Sequence, residues 1–331
     1  MIRTEPVPIT ERLRRFPVVL TMALGLMLGL AAEAGAQAWT MPPGEAYVKV
    51  FYGKVSAADQ FTFDGRRTDF IDGMPGDTFR DRSLYVYGEV GLSDRVTFVF
   101  SLPYKRIFIR DQAFRLRTYA FGTAELGARV ALLPLFGIGP SRNALAVNLG
   151  IGLPTGYTRN YAPSVDAGQV NLQAMLSYGR SFYPFPAYAQ VGIGYRLRSM
   201  LYVFSGAIPC RPGRDVNCIV DPRPDYGDEL VYRIEAGLTP FGGGLLLQAL
   251  AGGNWSWKEP VVGFSALNPI PTRQRFVKVG GGAAVYPFRL AGVAALASMG
   301  VSVQFFFTPY GRNAIAARDL FVGLEYRLRF N

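Results

Sequence analysis

The sequence predicts an all-β protein: a transmembrane antiparallel up-and-down β-barrel of about twelve strands. Three observations carry this prediction. Apolar and polar residues alternate with a period of two from residue 45 to the C-terminus. Short connections alternate with longer, more polar ones along the chain. A basic, then apolar, then small-residue segment opens the chain, and no second long apolar helical span follows it.

Residues 1–36 read as a secretory signal peptide. Arg12, Arg14 and Arg15 form the basic region and Phe16 to Ala32 the apolar one. Ala34-Gly35-Ala36 is the cleavage site, with Ala36-Gln37-Ala38 a near alternative. A single membrane anchor is the competing reading, but the apolar run is short for one and ends in small residues. Residues 37–331 then form one barrel domain. The whole chain of 331 residues carries a net charge of +11 from 35 basic and 24 acidic residues.

The candidate strands are 45–55, 81–91, 95–109, 118–132, 143–153, 168–179, 187–203, 228–238, 244–257, 273–286, 293–307 and 318–330. The short connections are 91–95, 133–142, 181–186, 239–244 and 286–292. Pro184-Phe185, Pro240-Phe241 and Pro287-Phe288 recur in them, as in a repeated hairpin unit. The long connections are 56–80, 110–117, 154–167, 204–227, 258–272 and 308–317. Short turns at one end and long loops at the other are the asymmetry of an outer-membrane barrel, with turns and termini in the periplasm and loops outside the cell.

The last strand poses the question of orientation. Leu320, Val322, Leu324, Tyr326, Leu328 and Phe330 share one face; Asp319, Phe321, Gly323, Glu325, Arg327 and Arg329 share the other. A soluble barrel hides the leucines, whereas a membrane barrel shows them to lipid. Three features favour lipid. Apolar faces end in aromatics, such as Trp255, Trp257, Tyr178 and Tyr326, where interfacial girdles lie. The strand count exceeds what a small soluble barrel needs. The chain is expected to be exported.

Two stretches resemble one family. YGEVGLSDRVTFVFSLPY at 87–104 and LGIGLPTG at 149–156 are similar to a hairpin and a strand end of outer-membrane proteins of the meta-pathway phenol degradation type. Glu125-Leu126-Gly127-Ala128-Arg129 sits where that group has a Gly/Asp-rich strand. The group is loosely similar to hydrophobic-compound and fatty-acid channel barrels. The resemblance implies a barrel that passes small aromatic or apolar molecules. The aromatic end of the final strand, Phe330, resembles an outer-membrane assembly signal. The roughly eight residues from 37 to 44 leave no room for a substantial N-terminal hatch, so loops or side chains are expected to provide any closure.

Alternation places Lys49, Arg129, Arg196, Arg198, Arg233, Lys278, Arg327 and Arg329 in the lumen, against Glu89, Glu125, Glu235 and Glu325. Such a set is either a basic pore that concentrates anions or a wall of paired charges that stiffens the barrel. Tyr85 and Tyr87, with Phe51, Tyr188, Phe276 and Phe321, face the lumen too, as a slide for aromatic solutes or as filling.

Cys210 and Cys218 lie in a Pro- and Asp-rich loop, where export favours a disulfide. Asp59, Asp64, Asp69, Asp72, Asp77 and Asp81 crowd the first long loop without calcium-loop spacing. GIGLPTG at 150–156 is followed by no helix and is no phosphate cradle. The chain has no histidine, the residue on which most barrel hydrolases rely, so no enzyme, catalytic residue, metal or cofactor is expected.

The expected function is an outer-membrane channel for small molecules, aromatic, hydrophobic or anionic, working by passive diffusion. The alternative is a structural or surface-binding barrel with an occluded lumen. Expected partners are outer-membrane lipid and lipopolysaccharide, the barrel assembly machinery and the solute, with no nucleic acid; the barrel is expected to be a monomer.

Overall fold

A computed structural model describes residues 37–71, 76, 78–110, 115–139, 141–156, 163, 165–199, 226–258, 262–263, 269–270 and 273–330. The expected signal peptide, the Cys210–Cys218 disulfide, Asp72 and Asp77 lie outside them.

Twelve antiparallel strands close into a barrel. They are β1 (Glu45–Ala57), β2 (Phe79–Ser93), β3 (Val96–Arg110), β4 (Arg115–Phe121 and Thr123–Ala131), β5 (Asn143–Pro154) and β6 (Val170–Ser181). Then follow β7 (Ala187–Ser199), β8 (Glu229–Leu238), β9 (Leu245–Ser256), β10 (Arg275–Val285), β11 (Met299–Arg312) and β12 (Arg318–Arg329). Each strand pairs with the next, and β12 closes on β1 through a register running from Glu45 opposite Arg329 to Ser56 opposite Arg318. Full closure leaves no unpaired edge, the condition a sheet must meet to cross hydrocarbon. No strand is shorter than the 10 residues of β8, enough to span a bilayer at a tilt.

The faces answer the orientation question. Leu324 is 59% exposed on the outside, while the adjacent Glu325 is 3% exposed inside. The pattern repeats around the wall: Val301, Val303 and Phe305 point outward between inward-facing Ser302, Gln304 and Phe306. The fold is thus a transmembrane barrel with an apolar exterior and a polar, aromatic-rich interior.

Two local features depart from the simple pattern. In β4, lumen-facing positions are even as far as Ala120 and odd from Thr123, because Gly122 inserts an extra residue. Both segments still pair with β3. In β11 the expected span of 293–307 shifts to Met299–Arg312, since Pro287–Leu290 and Ala294–Leu296 coil into short helices in the turn. Pro240–Gly243 turns differently, with Phe241 and Gly242 in left-handed backbone conformations (φ 55° and 62°). Pro184-Phe185 lies in a non-helical turn, so the three Pro-Phe turns are not one repeated unit.

The loop end is capped. Asp59–Phe61, Arg67–Asp69 and Ala314–Ile315 form a small three-stranded sheet. Beneath it Phe70, Ile71 and Val165 pack on Phe79, Ile107, Ile109 and Leu116 as a dry cluster. In the first loop Asp59 pairs with Arg67 and Asp64 with Arg66, so these aspartates serve loop structure. Asp81 belongs to β2 and is buried.

Candidate functional site in the barrel lumen

Starting at the turn end, Glu45 accepts from Arg329 at 3.0 Å. Arg329 and Arg327 share the inward parity but are exposed at the rim, so they frame the mouth without lining the interior. Further in, Glu325 accepts from the hydroxyls of Tyr47, at 2.9 Å, and Tyr286, with Lys49 Nζ 3.6 Å away. Glu235 gathers donors from Tyr188, Gln190 and Gln248.

The segment from Gln37 to Met41 does not trail outside. It crosses the lumen, fastened by lumen-facing side chains of four strands. Asn148 on β5 donates to the Gln37 carbonyl at 3.1 Å, and the Ala38 N–H donates to Gln190 on β7 at 3.2 Å. Arg129 on β4 donates to the Trp39 carbonyl at 2.8 Å, and the Met41 N–H donates to Thr97 on β3 at 2.7 Å. The Trp39 ring meets Tyr188 edge-on and lies over Gly179 on β6. Residues 37–41 therefore add a piece of the chain ahead of β1 to what lies in the lumen, beside the loops and side chains from which the sequence led one to expect any closure. Ala38, Trp39 and Met41, apolar residues in a non-strand segment, were the available sequence cue.

Above this segment the lumen has two unlike walls. On β11, β12, β1 and β2, Phe51 stacks on Tyr85 with ring centroids 4.7 Å apart, and Phe321 meets both edge-on. Phe306 completes the cluster. Such packing fills space and leaves no slide along that wall. Lys278 pairs with Asp319 at 2.5 Å and Lys105 with Asp81 at 3.5 Å beside it.

The opposite wall is polar and partly bare. Glu229 receives Arg196 and Arg198, each at 3.1 Å, and Asn254 at 2.7 Å. Arg196 also donates to Gln173, and the Arg198 guanidinium lies over Tyr226. Between these groups and β4–β5 lies a cavity of about 140 Å³. Its floor is bare because Gly127, Gly150 and Gly152 face inward from β4 and β5. Glu125, Arg129, Arg233, Met175 and Phe276 contribute to its rim. Asn171 and Asn254 are among the residues lining it, and their buried Oδ1 atoms have no hydrogen-bond partner among the described residues. An orphan acceptor in a low-dielectric site favours a guest that brings a donor.

The lumen thus contains the candidates Lys49, Tyr85, Tyr87, Glu89, Glu125, Arg129, Arg196, Arg198, Arg233, Glu235, Lys278 and Glu325, but it is not a basic pore. The expected surplus of cations is matched by inward-facing Asp81, Asp166, Glu229 and Asp319, which the sequence count omitted.

The two stretches that resemble the phenol-degradation group meet at the β4 bulge. The Gly122 N–H donates to the Pro103 carbonyl at 2.8 Å, and the Thr155 hydroxyl donates to the Gly122 carbonyl at 2.5 Å. Gly156 lies so close to Phe121 that a Cβ would fall 1.8 Å from its carbonyl oxygen.

No protein-family model matches the sequence, and no curated protein matches it. Among solved structures, the COG4313 outer membrane channel from Pseudomonas putida F1 superposes with a TM-score of 0.65 at 14% identity, over 89% of this chain and 99% of that one. The CymD monoaromatic hydrocarbon channel aligns over 88% of this chain and 90% of its own at 8% identity, with a TM-score of 0.42, too remote to support an argument. The chain shares the fold of an outer-membrane channel barrel.

Proposed function

We propose that this chain is a bacterial outer-membrane channel that passes small, largely apolar solutes by passive diffusion, with the lumen cavity as a station on the way. The carrying observation is a cavity of about 140 Å³ within a transmembrane barrel, lined by Gln37, by Gly127, Gly150 and Gly152 of β4 and β5, and by Arg196 and Asn254 across from them. A 150 Å³ cavity in another protein accepts benzene, so the size here suits a single aromatic ring. Asn171 and Asn254 suit a hydroxyl on that ring. Charge balance in the lumen weighs against a general anion pore and favours the aromatic or hydrophobic class. The resemblance of 87–104 and 149–156 to the phenol-degradation group points the same way. The outward apolar band supports placement in the outer membrane, short turns inward.

The coverage at both ends favours a second reading, a structural barrel with an occluded lumen. Planar-bilayer conductance and liposome uptake of phenol and benzoate separate the two. The channel reading expects a small ion current and faster uptake of phenol than of benzoate. Absence of current and uptake, both in the intact mature chain and after removal of residues 37–41, would leave the occluded barrel.

A further inference from the structure

The outer surface is apolar over most of its height, but at the loop end of one sector it becomes basic. Going up β1 the outward residues are Val48, Val50, Tyr52 and then Lys54; on β2, Val86 and Leu84 give way to Arg82 and Arg80. On β12 the apolar series ends at Arg318. Among the described residues the far sector shows nothing comparable: the corresponding outward residues of β5 to β9 are Leu153, Val170, Leu197, Leu230 and Trp255. Along the described strands the basic tier is confined to one side.

The tier is arranged against itself. Lys54 lies directly opposite Arg82, Arg110 opposite Arg115, and Arg275 opposite Arg312. Like charges directly across a sheet are destabilising. Among the described residues none of the six has a carboxylate within ion-pair distance. Several cations here lie over outward aromatic rings: Arg106 over Tyr119 at 5.2 Å, Arg117 over Phe108 at 5.5 Å and Arg275 over Trp255 at 4.0 Å. Aromatic rings under cations mark the level where hydrocarbon meets headgroups. Paired cations above an apolar wall call for a guest with several negative charges and acyl chains beneath them.

We propose that the outer face of β10–β12 and β1–β4 is a binding surface for a phosphorylated lipid of the outer leaflet, of the lipid A type. Its phosphates bridge the like-charge pairs, and its acyl chains lie along Tyr52, Leu84 and Leu102. Free phosphate satisfies the charges but leaves the apolar wall unused. The inference rests on the outward apolar band and is independent of conduction through the lumen.

The test is thermal unfolding of the mature barrel in detergent, followed by tryptophan fluorescence. It is titrated with bisphosphoryl lipid A, with the same lipid stripped of phosphate, and with inorganic phosphate. Only the bisphosphoryl lipid is expected to raise the melting temperature strongly, and added NaCl should reduce the effect. Lys54→Gln/Arg82→Gln/Arg110→Gln/Arg115→Gln should weaken apparent binding at least about tenfold. Arg142→Gln/Arg180→Gln, at the turn end, should leave it unchanged. Equal stabilisation by the dephosphorylated lipid, by phosphate alone, or of the quadruple variant overturns the proposal. Should the quadruple variant not fold, Arg82→Gln and Arg110→Gln singly and the salt dependence of the unaltered protein decide the matter in the same way.

Discussion

Arg129 on β4 grips Glu89 on β2 with both arms of its guanidinium, Nη1 to Oε2 at 3.0 Å and Nη2 to Oε1 at 3.1 Å. β3 lies between these strands, so the pair reaches over one intervening strand on the lumen side of the wall. The same guanidinium holds Asn148 Oδ1 at 3.0 Å and the Trp39 carbonyl. One side chain therefore ties the wall to the segment that obstructs the lumen. Arg129→Met leaves Glu89 buried without its cation and should cost about 3–5 kcal/mol, the usual penalty for half of a buried ion pair. Arg129→Met/Glu89→Gln should recover a substantial part of that loss. Urea unfolding of the reconstituted barrel measures both, and strictly additive losses would show that the pair is not coupled.

Removal of residues 37–41 tests the obstruction itself. β1 begins only at Glu45, so the barrel retains every strand and should fold. Single-channel conductance should rise several-fold, with a smaller rise for Trp39→Gly, which removes the ring lying over Gly179. Unchanged conductance would place the barrier at the apolar cap around Phe70 and Ile109 instead.

The faces of the barrel were legible because a period of two survives any error in strand boundaries. Leu324 and Glu325 are read correctly whether the strand begins at 318 or 320. What depends on pairing was not legible. Asp81 was counted with the loop aspartates although it opened the expected strand 81–91; β2 starts at Phe79, which puts Asp81 inside the barrel wall. A basic pore stayed open beside a wall of paired charges because carboxylates such as Glu229 and Asp319 were omitted from the count, although alternation already placed both on inward faces. At Gly122 one extra residue reverses parity, and a single glycine among many carries no mark of a bulge. The segment at 37–41 has no periodicity at all, and its place is set by long-range hydrogen bonds and by the packing of Trp39.

The cavity floor offers a contrast between two glycines. A Cβ on Gly150 meets only the Leu126 carbonyl, at 3.7 Å, whereas one on Gly127 falls 2.6 Å from the Leu149 carbonyl oxygen. Gly150→Leu should therefore fold normally and fill the cavity, lowering phenol uptake with little change in the urea midpoint. Gly127→Ala should instead destabilise the barrel by roughly 1–3 kcal/mol, since backbone must move to admit the methyl. Normal uptake in Gly150→Leu would mean that solute does not use this cavity.

Leu324 tests the orientation on which every other inference stands. It lies near the middle of β12, pointing out, beside inward-facing Glu325 that accepts from Tyr47 and Tyr286. Leu324→Arg places a charge near the bilayer midplane and should cost about 2–4 kcal/mol in liposomes. Leu320→Arg, four residues nearer the loop end, should cost less, because the penalty falls toward the interface. The gradient is the informative quantity. Packing in a soluble core would penalise both positions alike, whereas hydrocarbon penalises depth. Equal urea midpoints for the two variants in liposomes would mean that this face does not meet lipid.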